Sequence, residues 1–244
     1  MIGSTATAPG DLPEISIVLV TYNAAETLQA CLDSIYKQQY PNLEVVVIDG
    51  ASNDGTVEIL NENSSRIAFF KSEKDNGIYD AMNKALGHIT GAWVYFLGAD
   101  DVLFDDFSAL AFQLKDDGVI YYGSLIMNGK ETGPLKSAYQ LAKRNLCHQA
   151  IFYPASVFKK YSYQTKYVIN ADHLLNMMCW NDKDYSFKYI DNTIARFNDT
   201  GVSSVKSDVL FEKDRPALIF KYFGLSAWAR YIFRVAKVRL FAKK

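Results

Sequence analysis

The sequence predicts an α/β protein: a mostly parallel central sheet flanked by helices, followed by a C-terminal amphipathic helix. Three observations carry that expectation. Ile15–Thr21 (ISIVLVT) and Leu43–Ile48 (LEVVVI) are near-continuous β-branched runs, the pattern of strands buried on both faces. Segments with apolar residues at helical spacing follow each run. The two patterns alternate at the pace of βαβ units.

Taken in order, Ile15–Thr21 is the first strand. Glu26–Gln38 reads as a helix, with Leu28, Cys31, Leu32 and Ile35 on one side. Leu43–Ile48 is the second strand. Asp54 opens a helix that Thr56–Asn61 continues, and Ile67–Phe70 is a short third strand. Tyr79–Ile89 is helical, with Met82, Ala85, Leu86 and Ile89 aligned, and Trp93–Leu97 is the fourth strand. Beyond Asp101 the pattern is mixed. Val119–Tyr122, Ser124–Met127, Phe187–Ile190 and Thr193–Phe197 read as strands that need not be parallel, and Asn170–Trp180 as a helix. The expected organisation is a lead-in over residues 1–13, a domain over 14–215 and a basic extension over 216–244. Within the domain, 14–101 forms a nucleotide-binding half and 102–215 a second-substrate half.

The chain has 244 residues, 49% apolar and 22% charged, which excludes disorder. Its formal net charge of −1 argues against a nucleic-acid binder. That sum conceals an asymmetry. Residues 1–215 hold 19 Lys and Arg against 27 Asp and Glu, whereas 216–244 hold seven cations and no acid. Cys31, Cys147 and Cys179 have no CxxC spacing and read as reduced thiols of a cytoplasmic protein. Residues 1–13 lack a basic n-region and an apolar core, so no signal peptide is expected. No stretch approaches the ~18 apolar residues of a membrane span.

Ligands of open α/β sheets bind beyond the C-terminal strand ends. Those ends here carry Thr21-Tyr22-Asn23, Asp49 through Gly55, Asp75-Asn76-Gly77 with Asp80, and Gly98-Ala99-Asp100-Asp101. Neither GxGxxG nor GxxxxGK[ST] is present, so a phosphate group would need another positive partner. Adjacent Asp100 and Asp101 suit Mg²⁺ or Mn²⁺, which take one or two carboxylates plus substrate oxygens. They can equally cap the segment that follows. Asn53-Asp54-Gly55 reads better as turn and cap. Asp172 opens an otherwise apolar helix, as a cap or as a general base. His148, just before the apolar Ala150–Tyr153, is either structural or an acceptor-side group. His88 and His173 have no supporting context. Ser52 and Ser64 have neither a G-x-S-x-G nor a suitably spaced histidine, so a serine hydrolase is unsupported.

Together, IVLVTYNAAETLQACLDSI, VVVIDGASNDGT, DNGIYDAMNKAL, YFLGADD, CHQAIFY and ADHLL resemble the family 2 glycosyltransferases of GT-A fold, with a Rossmann-like sheet. The version of the motifs looks like the branch that builds bacterial O-antigen and capsular polysaccharides. The resemblance implies a base pocket at Thr21, Tyr22 and Asn23, with Asp49 accepting from the base edge. It places Asp80 and Lys84 near ribose and diphosphate. Asp100 falls on the metal-binding acid of the DxD motif, with Asp101 beside it, and Asp172 on the catalytic base. Two positions depart from the pattern. Gly98 stands where the first DxD acid is expected, and Ala171 where many relatives carry Glu.

The implied activity is inverting transfer from a nucleoside-diphosphate sugar, UDP-sugar being the expected donor, with Mn²⁺ or Mg²⁺. The implied acceptor is a saccharide or a polyprenyl-diphosphate-linked saccharide. Rival expectations are a nucleotidyltransferase, which would want a Gly-rich basic loop after the first strand, and a non-catalytic nucleotide- or saccharide-binding module. In the extension, Leu225, Trp228, Ala229, Ile232, Val235 and Ala236 share one helical side, with Arg230, Arg234 and Lys237 opposite. Tyr231 and Phe233 flank the apolar side. The pattern fits an interfacial helix on an anionic membrane, or a helix packed on its own body. The first reading places the protein peripherally at the inner face of the cell membrane.

Overall fold

A computed structural model describes residues 12–198 and 207–241. Nine strands form one sheet: β1 (Ile15–Thr21), β2 (Leu43–Asp49), β3 (Phe69–Ser72), β4 (Trp93–Gly98), β5 (Val102–Leu103), β6 (Val119–Met127), β7 (Lys130–Glu131), β8 (Ile151–Pro154) and β9 (Ser186–Arg196). Their order is β3-β2-β1-β4-β8-β6-β9-β5, with β7 on β6. The β3-β2-β1-β4 block is parallel. Beyond it β8 runs antiparallel to both β4 and β6, and β9 is parallel to β6.

Every residue of β1 is buried, as expected of a strand covered on both faces. Register then fixes the rim. Thr21 pairs with Asp49, Asp49 with Ser72, and Val20 with Gly98, so four parallel strands end side by side.

The helices are α1 (Leu28–Tyr36), α2 (Thr56–Glu62), α3 (Ile78–Ala85), α4 (Asp106–Ala111), α5 (Ala138–Lys143), α6 (Ser156–Lys160), α7 (Ala171–Asn181) and α8 (Val209–Phe241). None of the described helices is long and apolar enough to cross a membrane. Asp54 precedes α2, whose N-cap is Gly55, and accepts from Thr56 N at 3.0 Å.

Several elements differ from expectation. The third strand lies two residues later than Ile67–Phe70. The Ser72 hydroxyl bonds Asp49 at 2.6 Å, which carries the strand into polar residues that an apolar run does not mark. Val119–Tyr122 and Ser124–Met127 are one strand, and so are the two segments expected within β9. The β6–β9 register is irregular around Gly123, where an added Cβ would stand 2.6 Å from Asn192 O. A bulge at that close approach had the look of a break.

The C-terminal helix is also different. It breaks at Gly224, whose φ of 76° lies in the left-handed region. Its apolar stripe is divided. Ile219, Ala227 and Tyr231 are buried, and Trp228, Ile232 and Val235 pack partly against the core. Leu225 and Phe233 remain 66% and 73% exposed. Residues 1–11 of the expected lead-in, and Lys243 and Lys244 of the basic extension, lie outside the described residues.

Candidate active site

The strand ends build one side of the site. Asp49 is fully buried, and four donors fill its carboxylate: Thr21 Oγ1 at 2.8 Å, Ser52 N at 2.9 Å, Ser72 Oγ at 2.6 Å and the Ser52 hydroxyl. Burial alone would raise its pKa. The hydrogen bonds from Ser52, Ser72 and Thr21 outweigh that and hold it below the usual carboxylate value. As placed, Asp49 ties three chain segments together, and a base edge could reach it only by displacing a hydroxyl.

Tyr22 and Asn23 continue from β1 into the rim. Tyr22 is 68% exposed. Asn23 adopts φ of 48°. Its N–H donates to Ser52 Oγ at 2.8 Å, and its side-chain oxygen accepts from Asn53 N at 3.1 Å. Gly50 is required here, since a Cβ would meet Asp75 Oδ2 at 2.7 Å and Tyr22 Cδ2 at 3.2 Å. Asp75, to which no individual role was assigned above, thus stands beside Tyr22. On α3, Asp80 accepts from Asn76 N at 2.9 Å, which lowers its pKa. Lys84 lies 3.4 Å from both Asp80 and Glu73 and donates to Lys74 O at 2.8 Å.

The fourth strand end supplies two unlike acids. Asp100 is half-buried, and its Oδ2 accepts from Asn198 Nδ2 at 3.1 Å. Asp101 is 1% exposed and is held by Gly98 N at 3.1 Å, Gln149 Nε2 at 3.0 Å and Asn198 N at 2.9 Å. Burial pushes its pKa up to about 6.

A Cβ on Gly98 would stand 2.9 Å from Asp100 Oδ1 and 2.7 Å from Asp101 Oδ2. The space that the first acid of a DxD motif would occupy is therefore filled by the two carboxylates that follow. Hard oxygens converging on one point suit Mg²⁺ or Mn²⁺. Asp100 is the more accessible of the two. Among the described residues no three His, Cys, Asp or Glu side chains gather into a cage, so a cation here would need substrate oxygens to complete its shell.

The opposite side centres on Asp172, in the first turn of α7. It is 3% exposed. Its Oδ1 accepts from Tyr79 OH at 2.9 Å and from His173 N at 2.8 Å, and its Oδ2 lies 3.2 Å from His148 Nδ1. Burial opposes ionisation of Asp172. The hydrogen bond from His148, with bonds from Tyr79 and Asn145, overcomes it and lowers the pKa. Asp172 is thus ionised at neutral pH.

His148 and Gln149 lie in one 3₁₀ turn (His148–Ala150), so consecutive side chains reach Asp172 and Asp101. Tyr95 OH of β4 bonds Gln149 O and pins that turn to the sheet. Asn176 of α7 holds Leu146 O at 2.8 Å. Asp208, ahead of α8, accepts from Ile169 N at 3.0 Å and Asn170 N at 3.2 Å, and so fixes the chain entering α7.

Sequence reasoning gave Tyr79, Gln149, Asn176 and Asp208 no part in the site. Tyr79 and Gln149 lie inside the quoted motifs DNGIYDAMNKAL and CHQAIFY, a signal that was there to use. Asn176 and Asp208 carry none, because their contacts are set only by tertiary packing.

A mostly parallel sheet flanked by helices, with polar strand ends on one rim, is the architecture of the GT-A class of glycosyltransferase. The fold matches that of TarS residues 1–349 of S. aureus in complex with UDP-GlcNAc (TM-score 0.65, 18% identity, 86% of this chain and 67% of that one). It also matches the mannosyltransferase PcManGT of Pyrobaculum calidifontis with GDP-Man and Mn²⁺ (TM-score 0.61, 21% identity, 89% and 65%). Residues 16–184 match the model of glycosyl transferase family 2, and the chain belongs to that family. It is 35% identical over 216 residues to a PGL/p-HBAD biosynthesis glycosyltransferase of Mycobacterium tuberculosis, covering 84% of each. It is 32% identical over 140 residues to an Escherichia coli UDP-Glc:alpha-D-GlcNAc-diphosphoundecaprenol beta-1,3-glucosyltransferase, covering 54% of this chain and 55% of the relative.

Proposed function

We propose that this glycosyltransferase inverts the anomeric centre while moving a sugar from a nucleoside-diphosphate sugar, UDP-sugar first, to a hydroxyl of a saccharide or polyprenyl-diphosphate-linked saccharide. The observation that carries the reading is Asp172. It is buried, and the consecutive side chains His148 and Gln149 reach from it to Asp101 at the end of β4. The name of the Escherichia coli relative, with UDP-Glc as donor and a GlcNAc-diphosphoundecaprenol acceptor, supports the donor and acceptor classes.

Each group has a task in this reading. Tyr22, largely exposed at the rim, offers its ring to the base, with Asp75 beside it. Thr21, Asn23 and Asp49 hold the strand ends that carry it. Asp80 and Lys84 flank the ribose and diphosphate. Asp100, with Asp101 behind it, would hold Mn²⁺ or Mg²⁺, which when bound neutralises charge on the leaving diphosphate. The rim is otherwise acidic, so the diphosphate would meet repulsion without it. The Asp172–His148 pair takes the acceptor proton as the hydroxyl attacks from the face opposite the leaving group.

Residues 216–244 are assigned to an anionic membrane surface at the inner leaflet. Leu225 and Phe233 are exposed on the same helix as the exposed Arg230 and Arg234, apolar and cationic groups that an anionic surface would take together.

A panel of nucleoside-diphosphate sugars with Mn²⁺, read by thermal stabilisation, identifies the donor, since a ligand at 100 times its Kd adds ~2.7 kcal/mol. Asp172→Asn is then expected to lower transfer ~10²–10⁴-fold with donor binding intact by calorimetry. Near-normal turnover of that variant would remove Asp172 from the proton pathway. Absence of donor binding and transfer in the wild type would remove the reading altogether.

A further inference from the structure

The Asp172–His148 pair is unevenly satisfied. Asp172 Oδ1 holds two donors, Tyr79 OH and His173 N. Its Oδ2 faces His148 Nδ1. Both carboxylate oxygens are thus already engaged by donors. His148 is the reverse. Nδ1 is engaged, whereas Nε2 is buried with no hydrogen-bond partner. Buried polar atoms without partners are rare and need an explanation, which a bound ligand's hydroxyl supplies.

The placement agrees. His148 Nδ1 faces Asp172 while the next side chain of the same turn, Gln149, bonds Asp101 at 3.0 Å, so the turn lies between the β4 end and α7. Nε2 is the nitrogen on the far side of the ring from Asp172. Phe96 meets the ring at 87° with centroids 6.4 Å apart, and the Tyr95–Gln149 bond holds the turn behind it.

We propose that His148 Nε2 is the atom that receives the acceptor proton, and that Asp172 is its positioning residue. The inference rests on the glycosyltransferase reading and names the proton acceptor within it. Asp172 fixes the tautomer: Nδ1 carries the hydrogen and donates to Oδ2, leaving the Nε2 lone pair for the acceptor hydroxyl. As the acceptor oxygen bonds the anomeric carbon, its proton passes to Nε2. The bond from that carbon to the diphosphate oxygen breaks, and the electron pair leaves with the nucleoside diphosphate. The imidazolium is stabilised by Asp172 and returns its proton to water. Tyr79, whose hydroxyl lies 2.6 Å from Ile169 O and 2.9 Å from Asp172 Oδ1, ties the carboxylate to the chain that enters α7. The arrangement has the logic of an Asp-His base dyad, in which the carboxylate orients and the imidazole transfers.

The deciding variant is His148→Asn. An asparagine amide can stand in for Nδ1–H and keep Asp172 held, but it has no group at the Nε2 position. With the donor and acceptor identified by the screen above, kcat is expected to fall ~10²–10⁴-fold while donor affinity, read by calorimetry with Mn²⁺, stays within threefold. In His148→Ala, added imidazole is expected to restore part of the lost turnover. If His148→Asn keeps kcat within tenfold of wild type, Asp172 itself takes the proton and the proposal falls. If either variant loses donor binding or melts early, His148→Gln is measured in its place, and retained turnover there overturns the proposal equally. Failure of the wild type to bind any donor would instead overturn the underlying glycosyltransferase reading.

Discussion

At the residue scale, His173 shows how a side chain next to Asp172 serves the fold. Its Nε2 donates to Leu141 O at 2.6 Å, and its ring packs on Phe211 with centroids 5.1 Å apart. Burial pulls its pKa down from 6.5 to about 4. The folded state therefore favours the neutral ring. That contribution is complete above pH 6.5 and is lost as pH falls from 6.5 towards 4. At 1.36 kcal/mol per unit its size is about 3 kcal/mol. Replacement by Gln is expected to flatten the pH dependence of the urea midpoint in that window, and an unchanged slope would assign the dependence to another group. Gly98 is the second residue-scale case. With two carboxylate oxygens under 3 Å from the position of a Cβ, Gly98→Ala must push Asp100 or Asp101 aside. Mn²⁺-dependent donor binding is expected to weaken at least tenfold, measured by calorimetry with and without the metal. Equal affinities for variant and wild type would separate the convergence of these acids from donor binding.

At the element scale, α8 is two helices joined at Gly224, where φ is 76° and ψ is −177°. That region is open essentially to glycine alone. Nothing stands within 4 Å of an added Cβ, so the cost of Gly224→Ala is conformational and not steric. It is expected to destabilise the protein by ~1–3 kcal/mol in denaturant titration. No loss would mean that the two helices can realign without harm to their packing. The same helix marks where sequence reading ends. Period alone put Leu225 and Trp228 on one face, but the kink and the docking of Tyr231 turn Trp228 inward and leave Leu225 out. Elements whose burial is uniform were legible: β1 lies as read from its apolar run, and β2 and β4 each extend only one residue further. Short elements such as α4 and β7 span too few residues to show a period. The site shows the same division. Asp100, Asp172 and His148 could be picked out by residue type and motif. Which atom of His148 is left without a partner depends on Tyr79, Asn145 and His173 N converging on Asp172, and no local pattern encodes that.

At the scale of the whole molecule, the acidic body and the basic C-terminal segment are not independent units. Ile219, Ala227 and Tyr231 are buried against the body, and Arg215 donates to Ala142 O at 3.1 Å. Lys143, Arg215 and Arg234 line one cavity of about 290 Å³ with Tyr231, Val235 and Val238, so body and helix share a cationic surface. Deleting residues 216–244 would therefore strip a packed face from the core, and lost membrane binding could reflect unfolding alone. The informative change alters only what faces outward. Leu225 and Phe233 are mostly exposed, so replacing both by Asp leaves the buried side intact while removing the apolar contacts and adding two negative charges. Wild type is expected to sediment with vesicles rich in phosphatidylglycerol. Binding should weaken in 0.5 M salt, since each cation near an anionic surface contributes about 1 kcal/mol and added salt screens it. The double variant is expected to remain in the supernatant with an unchanged melting temperature. A wild type that ignores anionic vesicles, or a double variant that still binds them, would reassign the basic helix to the fold alone.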